Sequence, residues 1–286
     1  MGMVRIISTP IGNLEDITLR ALGALGEADL LFAEDTRRTR VLLDRHGIAA
    51  RPVSLHEHNE ASRIARALAV LREEGVVAVA LVSDAGTPLV SDPGARLVSA
   101  AIEDGHRVEA LPGASAVLAA LAVSGLCDGA FTFVGFLPRR AGLRRDRIES
   151  YRARPEALVF FESPRRLAAT LAELQEHLGD RRACVARELT KLHEEVRRGT
   201  LGQLAEAFAE QVRGEVTLVV EGASAETAEA PGAAPAEADA ETVDQRVREL
   251  LAEGSRPREI AARLARETGV PRRHIYARAL ALRENS

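Results

Sequence analysis

Through the first 125 residues, short apolar runs alternate with segments whose apolar positions recur every three or four residues. That alternation predicts strands and helices in turn. Strands are expected over residues 4–9, 30–34, 53–55, 76–82 and 107–111. Helices are expected from Asp16, as capping residue, to Leu25, over 37–46, over 60–74 with Ile64, Leu68 and Leu71 on one face, from Ala95, and after Ser115 to Ser124. The run Val76–Val82 is apolar without alternation and rich in β-branched residues, as suits a strand buried on both faces. Repeats of strand and helix predict a doubly wound α/β domain on a parallel sheet, spanning residues 1–125.

Near Leu126 the pattern changes. Strands expected at 131–136, 158–161, 184–186, 195–197 and 216–220 are mixed irregularly with helices, which predicts a second α/β domain of different topology over 126–222. Residues 223–242 are mostly Ala, Glu, Pro and Gly; they bury too little apolar surface to order themselves and read as a flexible linker. Three short helical patterns follow, at 243–252, 257–268 and 271–282. Gly269 at the turn and a basic last helix have the cadence of a helix-turn-helix in a C-terminal domain, 243–286, with a plain helical hairpin as the alternative.

Composition narrows the function classes. Apolar residues at 46% and charged residues at 28% describe an ordinary globular protein. Aromatics are only 3%, with no Trp, which argues against a surface that stacks many bases. No apolar run approaches 18 residues and no charged-then-apolar leader is present, so no membrane partner is expected and the cytoplasm is the expected location. Cys127 and Cys184 lack partners at metal spacing and read as two buried thiols in a reducing compartment. The net charge of −4 hides an asymmetry: ten Arg against six acids follow Val243, whereas 223–242 carries five acids and no base.

The candidate chemistry centres on Ser83–Gly94, S-D-A-G-T-P-L-V-S-D-P-G, which leaves the carboxyl end of the buried strand where open α/β sheets place ligands. Gly86 and Gly94 let backbone approach a ligand, Pro88 and Pro93 stiffen the loop, and Asp84 and Asp92 offer acceptors to a cation or to ribose hydroxyls. Two similar loops, Thr9–Asn13 and Pro112–Ser115, are expected at the same sheet edge. Neither G-x-G-x-x-G nor G-x-x-x-x-G-K-[ST] occurs, and Pro10 has no N–H for a pyrophosphate, so a nucleoside cofactor without phosphates is the better physical match.

T-P-I-G-N-L-E-D-I-T, A-E-D-T-R-R-T, L-H-E-H-N-E, L-V-S-D-A-G-T-P-L-V-S-D-P-G, L-P-G-A-S-A, F-F-E-S-P-R-R-L and R-E-L-T-K occur here in order. Together, over Val4–Gly222, they resemble the tetrapyrrole methylase superfamily, and within it the branch acting on small-subunit ribosomal RNA. The resemblance implies a two-domain α/β fold with S-adenosylmethionine in the cleft between domains, a small helical C-terminal domain, and usually a homodimer. It implies 2′-O-methylation of a cytidine in the decoding region of 16S ribosomal RNA. Carried over motif by motif, the cofactor contacts are Pro10, Ile11 and Gly12; Asp84, Gly86, Thr87, Pro88 and Val90; Ser115 and Ala116; and Phe161, Leu189 and Thr217. Where the wider superfamily often has Gly-Asp-Pro, this chain has Gly86-Thr87-Pro88, which passes the acidic contact to Asp84 or removes it.

A ribose hydroxyl is a poor nucleophile at neutral pH, so in-line positioning contributes most and a general base adds roughly 10²–10⁴. Candidate bases are Asp35, His56, His58, Glu162 and Glu188, with Glu188 and Asp35 favoured and Lys191 as a cation for the hydroxyl or a phosphate. RNA contacts are expected at Arg37, Arg38, His56, His58, Asn59, Arg139, Arg140, Arg165 and Arg166. The plainer readings are a helix cap with a solvated basic face at Asp35–Arg38, polar packing at His56 and His58, and solubilising surface charge at the other arginines. No third ligand accompanies the two histidines, so no metal is expected. Two rival functions remain: a small-molecule methylase acting on a tetrapyrrole, and a non-catalytic RNA-binding or ribosome-assembly protein.

Overall fold

The computed structural model describes residues 2–56, 59–90, 92–224, 240–252, 255, 257–268, 275, 276, 278–280 and 282. The first sheet has the order β3-β2-β4-β1-β5, all parallel, from β1 (Met3–Ile7), β2 (Leu30–Ala33), β3 (Pro52–Ser54), β4 (Val79–Val82) and β5 (Arg107–Leu111). Parallel neighbours need crossovers, and α1 (Leu19–Gly26), α2 (Thr36–Arg45), α3 (Glu60–Leu71) and α4 (Ala95–Glu103) supply them. The two faces of the sheet carry separate cores. Phe32, Leu81, Val79 and Ile6 pack with Ala67, Leu71 and Leu97 on one side, and Ile7, Leu31 and Val82 pack with Leu25, Leu42 and Leu43 on the other. Every residue of β4 is therefore buried, which accounts for its unalternating sequence. Leu81→Ala at this centre costs about 2–5 kcal/mol.

Two local expectations are corrected. Thr18, not Asp16, caps α1: its hydroxyl accepts the Ala21 N–H at 3.1 Å, while Asp16 ends a short 3-10 turn capped by Asn13. The strand expected from Val76 begins at Val79, because the Asp29 carboxylate takes the N–H groups of Val77 and Ala78 at 2.7 and 3.0 Å.

The second sheet has the order β6-β7-β10-β8-β9, from β6 (Phe131–Phe136), β7 (Ala157–Glu162), β8 (Arg182–Arg187), β9 (Glu195–Thr200) and β10 (Val216–Val220). Only β6 and β7 run parallel, with a bulge between Phe133 and Gly135; the other pairs are antiparallel. Helices α6 (Ala141–Glu149), α7 (Leu167–Leu178) and α8 (Leu201–Ala207) share its core through Ile148, Leu171, Leu174 and Leu204. Helix α5 (Ala116–Ser124) is apolar all round and bridges the domains: Val117, Ala120 and Leu121 join Ile11 from the first with Val159, Cys184 and Val219 from the second. Cys184 is buried as expected, but Cys127 is only half-buried.

Beyond Ser224, helices Ala240–Ala252 and Pro257–Thr268 form a separate core in which Val247 and Leu250 meet Ile260, Leu264, Ile275 and Ala279. Most of the expected linker, the Gly269 turn and part of the third expected helix lie outside the described residues.

Candidate active-site cleft

The carboxyl ends of β1 and β4 are tied together beyond the sheet. Thr9 and Gly86 exchange backbone hydrogen bonds at 2.9 and 3.0 Å, and the Thr9 hydroxyl donates to the Ser83 carbonyl at 3.2 Å. The Ser8 and Thr87 hydroxyls lie 3.0 Å apart. Gly86 sits at φ +78°, in the left-handed region that favours glycine. Gly113 follows β5 closely enough that a Cβ there would meet the Ser8 Cβ at 2.8 Å. The three loops thus form one wall, completed by the start of α5, where the Ser115 hydroxyl accepts the Leu118 N–H at 3.4 Å.

The facing wall comes from the second domain: Phe136 and Phe161 at the end of β6 and within β7, Ala186 and Leu189 near the end of β8, and Gly214–Thr217 entering β10. Phe161 packs edge-on to Phe133 and tilted against Phe136. Between the walls is a cleft of about 540 Å³, within the roughly 300–1,000 Å³ of small-molecule sites. Ile11, Asp84, Gly86, Thr87, Val90, Ser115, Ala116, Phe161, Leu189 and Thr217 all line it. Pro10, Gly12 and Pro88 do not: Pro10 and Pro88 are buried behind the lining, and Gly12 packs on residues 189–191 of the second domain.

Acids line both sides of the cleft, with Glu162 and Glu215 on the second-domain side. Glu34, Asp84 and Asp92 line the first-domain side together, with Arg38 Nε 3.6 Å from Asp84. Burial raises the Glu34 carboxyl above its ordinary value, and the charges of Asp84 and Asp92 raise it further. Asp92 is raised too, by burial and then by Asp84, against a hydrogen bond from Ser83. Glu34 lies one residue before the expected Asp35. The signal for it was β2 itself, whose last residue, Ala33, leaves Glu34 at the sheet's carboxyl edge.

None of the expected base residues offers a free carboxylate to the cleft. Asp35 caps α2 through the Arg37 N–H at 2.8 Å and grips the Arg37 guanidinium at 2.7 and 3.0 Å, which holds its carboxyl at about 2. Its backbone N–H donates to Asp84 at 2.8 Å. Glu188 lies outside the lining at φ +52° and is committed to Lys191 at 2.8 Å and the Glu215 N–H at 2.9 Å, with Lys191 foremost in lowering it. Lys191, the sole lysine of the chain, also reaches Glu215 at 3.1 Å. Glu162 does line the cleft, but its oxygens are taken by Ser163 N–H and Arg166 at 2.6 Å and by Thr170 Oγ1 at 2.7 Å.

The expected RNA contacts scatter. Arg38 lines the first-domain side of the cleft and Arg37 is exposed beside Asp35; Arg139, Arg140 and Arg165 are exposed in the segments that follow β6 and β7, outside the lining. Arg166 is spent on Glu162. His56 and Asn59 hydrogen-bond each other in the turn after β3, away from the cleft lining, and His58 lies outside the described residues. Among the described residues no cluster of His, Cys, Asp and Glu could hold a metal ion.

Two wound domains closing on a cleft at their strand ends define a tetrapyrrole (corrin/porphyrin) methylase fold, and that family's profile matches residues 3–205. A second profile, the RsmI C-terminal HTH domain, matches residues 236–283. A Ribosomal RNA small subunit methyltransferase I from Mesorhizobium japonicum is 48% identical over 284 residues, covering 98% of this chain and 92% of that one. One of the same name from Thermotoga maritima is 47% identical over 223 residues, 78% of this chain but 99% of the relative. The chain belongs to the family of ribosomal RNA small subunit methyltransferase I. Its fold is shared with Uroporphyrin-III C-methyl transferase from Thermus thermophilus, solved with S-adenyl homocysteine: 21% identity, TM-score 0.54, 76% of this chain and 97% of the other.

Proposed function

We propose that this protein transfers the methyl group of S-adenosylmethionine to the 2′-hydroxyl of a cytidine in the decoding region of 16S ribosomal RNA. The assembled small subunit is its substrate, the cytoplasm its place of action, and a homodimer its working form. The observation that carries the reading is the cleft itself, whose lining brings Glu34, Asp84 and Asp92 together beside Arg38 at the carboxyl edge of the first sheet, opposite Phe161 and Leu189 of the second domain.

The donor set fits the cofactor. Gly86 and Gly214 leave backbone accessible, Ser115 and the first turn of α5 present polar groups at a helix N-terminus, and Phe161 and Leu189 supply apolar surface. The remaining proposed contacts are Pro10, Ile11, Gly12, Asp84, Thr87, Pro88, Val90, Ala116 and Thr217, with Pro10, Gly12 and Pro88 acting from behind the lining. When bound, S-adenosylmethionine supplies an electrophilic methyl group on a cationic sulfur. Carboxylates of Asp84 and Asp92 give that end of the cleft the opposite sign. Arg38, Arg139, Arg140 and Arg165 would take phosphates and leave a single ribose to reach the floor. Glu188 and Lys191 serve by holding the 188–191 and 214–217 segments together. The C-terminal helices add affinity for the subunit rather than chemistry, in keeping with the Thermotoga maritima relative, which is spanned by 223 residues of this chain.

The test is transfer of radiolabelled methyl groups to small subunits, naked 16S ribosomal RNA and a tetrapyrrole precursor, with nuclease mapping. Label in a 2′-O-methylcytidine, favouring assembled subunits, is expected. Label in the tetrapyrrole alone would leave the fold and overturn the substrate. Cofactor binding without transfer to any of the three would overturn the enzyme reading in favour of an RNA-binding assembly protein.

A further inference from the structure

We infer that Glu34 is the residue that removes the proton from the RNA hydroxyl. The inference rests on the ribose-methylation reading and deepens it. In the step, the hydroxyl proton passes to a Glu34 carboxylate oxygen while the hydroxyl oxygen bonds to the methyl carbon. The carbon–sulfur bond breaks with its electron pair retained by sulfur, so the sulfonium charge is extinguished as the carboxylate becomes neutral.

The geometry selects Glu34 by what occupies the alternatives. Asp35, Glu162 and Glu188 are each bound to an arginine or lysine, and Asp35 and Glu188 lie outside the cleft lining. Of the three carboxylates that do share the first-domain side, Asp84 accepts the Asp35 N–H and faces Arg38, and Asp92 takes the Ser83 hydroxyl. Among the described residues, Glu34 receives the backbone N–H of Asp84 and makes no ion pair. It sits at the end of β2, a strand buried along its whole length and locked between β3 and β4, so its backbone is fixed while its longer side chain has reach. The charged groups facing it are Asp84 and Asp92 from the loop after β4 and Arg38 from α2. Burial first, and then the two acids against the one base, raise its proton affinity above that of an ordinary carboxylate, the direction that suits a proton acceptor.

Glu34→Gln keeps the shape and removes the acceptor. The experiment compares the full chain with E34Q, E34D and D92N in methyl transfer to small subunits from pH 5 to 9, alongside calorimetric titration with S-adenosylmethionine and thermal unfolding. E34Q is expected to slow single-turnover transfer by roughly 10²–10⁴ and to abolish the acid limb of the pH profile. Its cofactor affinity should stay within about threefold of the parent and its melting temperature should not fall. E34D should recover part of the rate with the limb restored, and D92N should keep the limb. Retention of rate and acid limb in E34Q overturns the assignment alone, as does transfer of both effects to D92N. A parallel collapse of cofactor affinity in E34Q would also overturn it, making Glu34 a cofactor contact. If the parent chain labels no ribosomal RNA, the underlying reading falls and this assignment with it.

Discussion

The backbone N–H of Asn13 donates to the hydroxyl of Thr190 at 3.0 Å, joining residues 177 positions apart across the two domains. The seam is tight: a Cβ on Gly12 would lie 2.5 Å from Lys191 Cγ, 2.6 Å from the Thr190 hydroxyl and 2.8 Å from the Leu189 carbonyl. The first loop therefore sets how far apart the cleft walls stand.

Gly12→Ala should wedge that seam open. Titration with S-adenosylhomocysteine is expected to show at least tenfold weaker binding, with about 1–3 kcal/mol lost from stability by overpacking. Parent-like affinity would mean that the seam does not set the cleft width.

Lys191 offers a selective handle because the other basic side chains, apart from histidine, are arginines. A planar guanidinium does not reproduce a point charge placed between two carboxylates. Lys191→Arg should weaken cofactor binding through displacement of the 214–217 segment, and Lys191→Met should cost about 1 kcal/mol by leaving Glu188 without its cation. An amine-reactive label should modify Lys191 and the chain N-terminus only, more slowly at Lys191 when cofactor is bound; mass spectrometry of the peptides reads both.

The acid-side stability should have two opposing contributions. Glu34 and Asp92 have raised carboxyls, so the stability associated with them is complete below their unfolded values of 4.5 and 3.8 and is lost as pH rises through their folded ones. Asp35 is lowered to about 2, so its contribution is present above 3.8 and is lost as pH falls towards 2. Thermal melts from pH 2 to 7 should show Glu34→Gln raising the melting temperature near neutrality and Asp35→Asn lowering it. A Glu34→Gln chain that melts lower at pH 7 would contradict the sign.

Removing residues 243–286 should leave the body's melting temperature and cofactor affinity unchanged, because the C-terminal helices have their own core. RNA affinity should fall. Arg139→Ala with Arg140→Ala should weaken RNA binding regardless of sequence and reduce the slope of log affinity against log salt by about 0.7–0.9 for each phosphate that is no longer neutralised. Salt titrations of the parent, truncated and double-mutant chains separate the two contributions.

Much of the fold was legible because it follows from local chemistry. The apolar run ending in β4, the small-residue helix after Ser115 and the proline-stiffened loop at 83–94 each encode their conformation in neighbouring residues, and burial on both faces of a parallel strand leaves a mark on the sequence itself. Those same loops placed most of the cofactor candidates on the cleft. The sequence points to Asp16 rather than Thr18 because Asp is ordinarily the better cap, and only the preceding 3-10 turn, which takes up Asp16, leaves the role to Thr18.

The roles of the acids were not legible at all. Glu34, Asp35, Glu162 and Glu188 are all carboxylates near predicted strand ends, and sequence treats them alike. What separates them is distance in space: Arg37 on Asp35, Arg166 on Glu162, Lys191 on Glu188, and two further acids beside Glu34. Strands and their edges were determined by the sequence through short-range propensity and burial. Which carboxylate is spared a bonded cation was decided only by tertiary structure, because charge interactions depend on separations that the packing of two domains creates.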